Sequence, residues 1–210
     1  MKNSTPVIET KSLSMNWGNK NILNNLNIHL NEGEKLAIVG PSGSGKSTIL
    51  KILAGLILPT EGELKIFGEI QNYLRLDQIN PPDVRLVFQN PALLGSLTIE
   101  ENVGFILYRS KKFSKKVIKE LVNECLEEVG LFNVSHKLPN ELSGGMQKRV
   151  SFARALINQS TNSPKKRPLL LFDEPTAGLD PIASSRIEDL INKTNTKVKG
   201  SSIVVSHVLS

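Results

Sequence analysis

Apolar positions along this chain come in short runs broken by turn residues, and only one long stretch has helical spacing. From about Val7 to Leu30 the runs are short and mixed with polar residues, which predicts edge strands. Asn31-Glu32-Gly33-Glu34 is a turn into the apolar run Leu36-Ala37-Ile38-Val39, and Ile49-Leu50-Lys51-Ile52-Leu53 then predicts a helix. A second turn, Pro59-Thr60-Glu61-Gly62-Glu63, leads into the strand Leu64-Lys65-Ile66-Phe67-Gly68. Between Asn90 and Leu138 the pattern becomes helical, with Ser114 as an N-cap and Gly130 as the stop of the helix between them. A further helix is expected over Lys148 to Asn158, where Val150, Phe152, Ala153, Leu156 and Ile157 face one side. The four apolar residues Leu169-Leu170-Leu171-Phe172, bounded by Pro168 and Pro175, predict a strand buried on both faces. Ile203-Val204-Val205-Ser206 is the last strand.

Two of these boundaries carry chemistry. The first strand-to-helix junction reads Gly40-Pro41-Ser42-Gly43-Ser44-Gly45-Lys46-Ser47-Thr48. Phosphate oxygens need many N–H donors at close range, and glycines let the backbone curl around them while the helix N-terminus adds its positive end. In such a loop Lys46 sits on the β- and γ-phosphates and Ser47 gives a hydroxyl to Mg²⁺. The buried strand ends in Asp173 and Glu174, at the edge where open α/β sheets bind ligands. Asp173 is suited to hold Mg²⁺, and Glu174 to orient and deprotonate an attacking water.

Between the two lies Leu142-Ser143-Gly144-Gly145-Met146-Gln147-Lys148-Arg149. With this element in place the whole chain resembles the ATPase subunit of an ATP-binding cassette transporter. The resemblance implies an α/β fold: a P-loop NTPase core with an antiparallel β edge subdomain and an inserted α-helical subdomain at about 90–158, all within a single domain over 1–210. It places Trp17 on the adenine ring and makes Gln89 the sensor of Mg²⁺ and of the membrane subunit. Asp180 closes the loop Ala177-Gly178-Leu179-Asp180, and His207 is the switch histidine at the γ-phosphate. Ser143, Gly144 and Gly145 are turned outward in this family and serve the nucleotide held by a second copy. ATP and Mg²⁺ are the implied cofactors. The implied partners are that second copy, integral membrane permease subunits and a lipid-binding substrate protein.

Leu97 to Phe105, Phe172 to Ser184 and the polar insert Gln159 to Arg167 are similar to a narrower group: the ATPases of the bacterial lipid-asymmetry system and its plastid counterpart, the trigalactosyldiacylglycerol lipid importer. That places the chain peripherally on the cytoplasmic or stromal face of an inner membrane, in a plastid or a bacterial or cyanobacterial cell. The iron-sulfur cluster assembly ATPase is the rival within the superfamily. Family members continue past the switch histidine, so a chain stopping at Ser210 is expected to be truncated at its C-terminal end relative to them.

Composition narrows the reading further. Hydrophobic content is 39% in 210 residues, mean hydropathy is −0.13, and Lys51 and Gly55 interrupt the longest apolar stretch, Ile49 to Leu58. No segment is expected to span a bilayer, so transport would need separate membrane subunits. The single cysteine, Cys125, excludes an intrachain disulfide and shares a helical face with Ile118, Leu121, Val122 and Val129. Net charge is +6, concentrated at Lys111-Lys112, Lys115-Lys116-Lys119 and Lys165-Lys166-Arg167. These clusters carry no interleaved aromatics for base stacking, so no nucleic-acid partner is expected.

Overall fold

The computed structural model describes residues 6–157 and 167–206. They fall into two compact units, one of 6–86, 167–174 and 195–206 and the other of 87–157 and 175–194. In the first unit β1 (Ile8–Trp17) is the spine of an antiparallel sheet, flanked by β2 (Lys20–Leu26), β3 (His29–Leu30) and β5 (Glu61–Ile66), with β6 (Glu69–Ile70) beyond β5. A second sheet has the order β4 (Lys35–Val39), β9 (Ser201–Ser206), β8 (Leu169–Asp173), β7 (Val84–Val87).

In that second sheet β9 runs parallel to both neighbours, pairing Val39 with Ser206 on one side and Asp173 with Val205 on the other. The C-terminal ends of β4, β8 and β9 therefore lie level at one rim. All five residues of β8 are buried, as a strand covered on both faces requires. At the sheet edge, β4 instead alternates, with Leu36 and Ile38 half-buried and Ala37 and Val39 exposed. Helix α1 (Lys46–Leu53) rises from the rim of β4 and buries Ile49, Leu50, Ile52 and Leu53 in a core shared with Ile8, Leu13, Leu64, Leu171 and Val205. Removing that much apolar surface from water is what fixes the rim in place, at about 25 cal/mol per Å².

The second unit is helical: α2 (Ile99–Ser110), α3 (Lys115–Glu128) and α4 (Gly144–Leu156) pack on one another through Val103, Leu107, Ile118, Val122, Leu126, Val150 and Phe152. Ser114 caps α3 as expected, its Oγ accepting from the Val117 amide at 3.4 Å, and Gly130 follows the helix end at φ 69°. The helical pattern read from Asn90 onward is broader than the helices themselves. Residues 91–98 form a loop held by buried Asn102, whose Nδ2 donates to the Leu94, Leu97 and Thr98 carbonyls at 3.0 Å each while Oδ1 accepts from the Leu94 amide at 2.7 Å. An amide in the core replaces helical hydrogen bonds there, which apolar spacing does not reveal.

Helix α2 then begins at a capping box, Thr98 with Glu101. Helix α4 begins at Gly144, four residues before the expected Lys148, because Ser143 caps it. A further helix, α5 (Pro181–Val198), follows Asp180 and was not anticipated from spacing. The insert from Gln159 falls outside the described residues except for Arg167. Among the described residues no helix is long and apolar enough to cross a membrane.

Candidate functional site

At the rim of the first unit the glycine loop closes on itself. Lys46 is only 5% exposed, and its Nζ donates to the carbonyls of Gly40 and Pro41, both at 2.8 Å. The same Nζ lies 3.9 Å from Glu174 Oε1. Ser47 Oγ donates to Asp173 Oδ1 at 2.9 Å, tying the first turn of α1 to the end of β8. Ser44 N donates to the Pro41 carbonyl, bending the loop over the helix start. Pro41, Ser42, Gly43 and Ser44 are exposed, and Ser47 and Thr48 are half-buried beneath them.

Gly45 shows why the loop needs glycine. It caps α1 at φ 89°, and a Cβ there would stand 2.8 Å from Leu23 Cδ2 and 2.9 Å from the Ile22 carbonyl oxygen. The close approach excludes a side chain, and the left-handed backbone disfavours one. With no side chain at the cap, the helix amides point into the loop, the arrangement that receives an anion.

Asp173 and Glu174 are 7% and 8% exposed. Glu174 has φ 43°, a left-handed conformation uncommon for a residue with a side chain, and its amide donates to the Val205 carbonyl at 3.1 Å. Strain of this kind persists only where surrounding structure imposes it, and here it turns the carboxylate off the strand end toward Lys46. Buried carboxylates beside a buried ammonium form a compact polar cluster in a low-dielectric setting, where an unpaired member would be costly.

The donor set suits Mg²⁺. Ser47 Oγ and Asp173 Oδ1 are one hydroxyl and one carboxylate oxygen, and Mg²⁺ is usually held by one or two carboxylates together with substrate phosphates rather than by an all-protein cage. In keeping with that, no group of three or more His, Cys, Asp or Glu side chains fit for a metal occurs among the described residues. Trp17, the last residue of β1, is 55% exposed, so it is not a core residue.

The second unit carries the other expected residues. Gln89 is exposed just after β7. Ser143 and Gly144 are exposed at the start of α4, with open space around Gly144 and Gly145. Ser143 Oγ accepts from the Met146 amide at 3.3 Å. Asp180 starts α5, its Oδ1 accepting from the Ala183 amide at 2.9 Å. His207 lies outside the described residues.

Spacing did not point to three further residues. Lys148 Nζ donates to the Pro175 and Ala177 carbonyls, so α4 grips the loop that ends in Asp180. Burial pushes the Lys148 ammonium below its usual range. Arg154 donates to the Pro91 and Ala92 carbonyls at 2.9 Å each, bracing the loop after Gln89, and burial lowers its guanidinium as well. Arg149 donates to the Gly130 carbonyl at 2.9 Å. All three are polar positions on α4, indistinguishable from a solvated face until the loops they reach are placed.

A family profile described as ABC transporter matches residues 23–177, from within β2 to the loop after Glu174. The chain belongs to the ABC transporter family. Its relatives include the chloroplastic protein TRIGALACTOSYLDIACYLGLYCEROL 3 of Arabidopsis thaliana, 48% identical over 193 residues, covering 91% of this chain and 56% of that protein. The spermidine/putrescine import ATP-binding protein of Legionella pneumophila is 38% identical, over 97% of this chain and 53% of its own length. The intermembrane phospholipid transport system ATP-binding protein of Haemophilus influenzae is 37% identical, over 96% of this chain and 74% of its own length. This chain thus spans about half the length of the first two. Among solved structures, a dimeric ATP-binding cassette in a post-hydrolysis state, bound to ADP and Pi, superposes with a TM-score of 0.81 at 33% identity, covering 96% of this chain and 88% of that one. The fold is that of an ABC cassette.

Proposed function

We propose that this ABC family member binds and hydrolyses ATP as the motor of a transporter, with two copies of the chain closing on the nucleotide. The observation that carries this is the buried cluster of Lys46, Ser47, Asp173 and Glu174 at the common rim of β4 and β8. Loop amides and the Lys46 ammonium offer positive charge to the phosphates. Trp17 offers a ring face to adenine. Bound Mg²⁺, for which Ser47 and Asp173 are the holding oxygens, would neutralise charge on the β- and γ-phosphate oxygens. Glu174 accepts a proton from water as the oxygen attacks the γ-phosphorus. The bond to the bridging oxygen breaks, and its electron pair leaves with ADP.

Ser143 and the amides of Gly144 and Gly145 complete the site from the second copy, donating to the γ-phosphate. Once that phosphate is free the charge-assisted bridge is lost and the copies separate. Gln89, Asp180 and His207 are assigned the sensing, loop-closing and switch roles on resemblance alone. The work is delivered to separate permease subunits at a membrane face. The dimeric relative bound to ADP and Pi supports the pairing of copies and the use of ATP.

Lipid is the proposed cargo. One relative is named for trigalactosyldiacylglycerol, a lipid, and another for intermembrane phospholipid transport. A relative at 38% identity is named for polyamine import, so likeness at this level supports the motor more than the cargo. The test is light scattering of the purified chain with and without Mg-ATP, beside Ser143→Arg. The parent should dimerise on ATP, and the variant should bind nucleotide yet remain single. A parent that stays monomeric with ATP, alone and with its permease, would overturn the reading. Pull-down from detergent-solubilised membranes should bring an integral permease; soluble scaffold proteins instead would favour an assembly ATPase.

A further inference from the structure

The turn between α2 and α3 carries more charge than the phosphate site or the helices explain. Arg109, Lys111, Lys112, Lys115, Lys116 and Lys119 fall within eleven positions that contain no acid. Net charge over the whole chain is +6, so this stretch equals the entire excess and the remaining residues balance. All six are exposed, and among the described residues none of them forms an ion pair.

Helix stability accounts for Arg109 and Lys111 at the end of α2 but argues against the lysines that open α3. Aligned peptide dipoles favour acids at a helix N-terminus and bases at its C-terminus. In α3 the order is reversed: Lys115 and Lys116 open it with no acid in the first turn, while Glu124, Glu127 and Glu128 close it with no base in the last. Ser114 caps the helix in spite of these charges. A charge arrangement that works against its own helix needs a partner outside it. Apolar side chains are exposed on the same pair of helices, Phe105 and Ile106 on α2 and Val117 on α3.

We propose that the basic turn 109–119 docks directly on the anionic headgroups of the membrane beside which the chain works, with exposed Val117 entering the headgroup layer. Five of the six cations are lysines. An ammonium is a point charge without the planar fork that matches one carboxylate or phosphate, which suits a diffuse charged layer better than a single protein acid. Nucleic acid would call for exposed aromatic faces, and the one aromatic in the stretch, Phe113, is half-buried. The proposal rests on the transporter reading only in placing a membrane nearby.

The experiment is co-sedimentation of the full chain with vesicles of phosphatidylcholine alone or mixed in equal parts with phosphatidylglycerol. A cation close to an anionic surface multiplies partitioning by about fivefold. Changing Lys111, Lys112, Lys115 and Lys116 together to Gln should therefore lower binding to the mixed vesicles by about 10²-fold, allowing for non-additivity. The same four positions changed to Arg should bind like the parent, and added salt should weaken parent binding. ATP hydrolysis in solution should be unchanged in both variants, so failure of the motor reading would show separately. Equal binding by the Gln variant, equal loss in the Arg variant, or equal binding to pure phosphatidylcholine would overturn the proposal. So would an effect of the lysines seen only with permease in phosphatidylcholine bilayers, which would point to a protein acid as the partner.

Discussion

Helices α1 and α4 both start beside glycines and both present backbone amides, yet their polar groups are used in opposite ways. Around α1, Lys46, Ser47, Asp173 and Glu174 are engaged with one another and with loop carbonyls, and Gly45 is wedged against Leu23 and Ile22. Around α4, Ser143 and Gly144 stand exposed, and nothing lies within 4 Å of where a Cβ would be on Gly144 or Gly145. The first helix start is organised internally and tolerates no change of shape. The second is open, as expected of a surface completed by another molecule.

Chemistry separates the two most sharply. Glu174→Gln keeps the shape of the α1 site but removes the base, so turnover should fall by about 10²- to 10⁴-fold while ATP still binds. Phosphate release and fluorescent-nucleotide titration measure the two, and unchanged turnover would remove Glu174 from that role. Lys46→Ala should act on binding itself. Loss of a charge-assisted contact of about 1.5–3 kcal/mol weakens nucleotide affinity by roughly 10- to 100-fold. Normal affinity in that variant would refute the assignment.

A matched pair of glycine substitutions tests the comparison without touching any charged group. Gly45→Ala should unfold more easily, by about 1–3 kcal/mol from the forced left-handed backbone and the clash with Ile22. Gly144→Ala should leave thermal stability equal or slightly raised, yet weaken ATP-induced dimerisation. If the two melted alike, the distinction between a closed and an open helix start would fail.

The smallest effects belong to the helical unit. Thr98→Ala removes half of the α2 capping box and should cost about 1 kcal/mol in urea unfolding. Tyr108 is half-buried and its hydroxyl donates to Glu100 at 2.7 Å; desolvation and that hydrogen bond together push the phenol up to about 12. A raised phenol stabilises the fold in full below pH 10, and the contribution fades as pH rises from 10 toward 12. Absorbance titration at alkaline pH should show a late tyrosine ionisation that disappears in Tyr108→Phe.

Much of the first unit was legible because its chemistry is local. The glycine loop, Lys46 and Ser47 are contiguous, and Asp173 and Glu174 end a run buried on both faces. Less of the helical unit was legible. Asn102 satisfies loop carbonyls as far as eight positions back, and Lys148 satisfies carbonyls 27 and 29 positions on, partners that leave no periodic trace. The same holds for α4, whose start was read four residues late because a serine cap matters more there than the apolar stripe.

By itself, then, the order of residues determined which groups stand in the glycine loop and at the end of the buried strand, since a tightly curled loop and a strand that must be buried constrain residue type at each position. Tertiary structure alone decided that Ser47 meets Asp173, that Glu174 is twisted toward Lys46, and that α4 grips the Asp180 loop through Lys148. Those pairings join residues far apart in the chain. They form because burying the β-sheet core and the helical core brings strand ends and helix starts together, and a polar group brought inside must find its partner there.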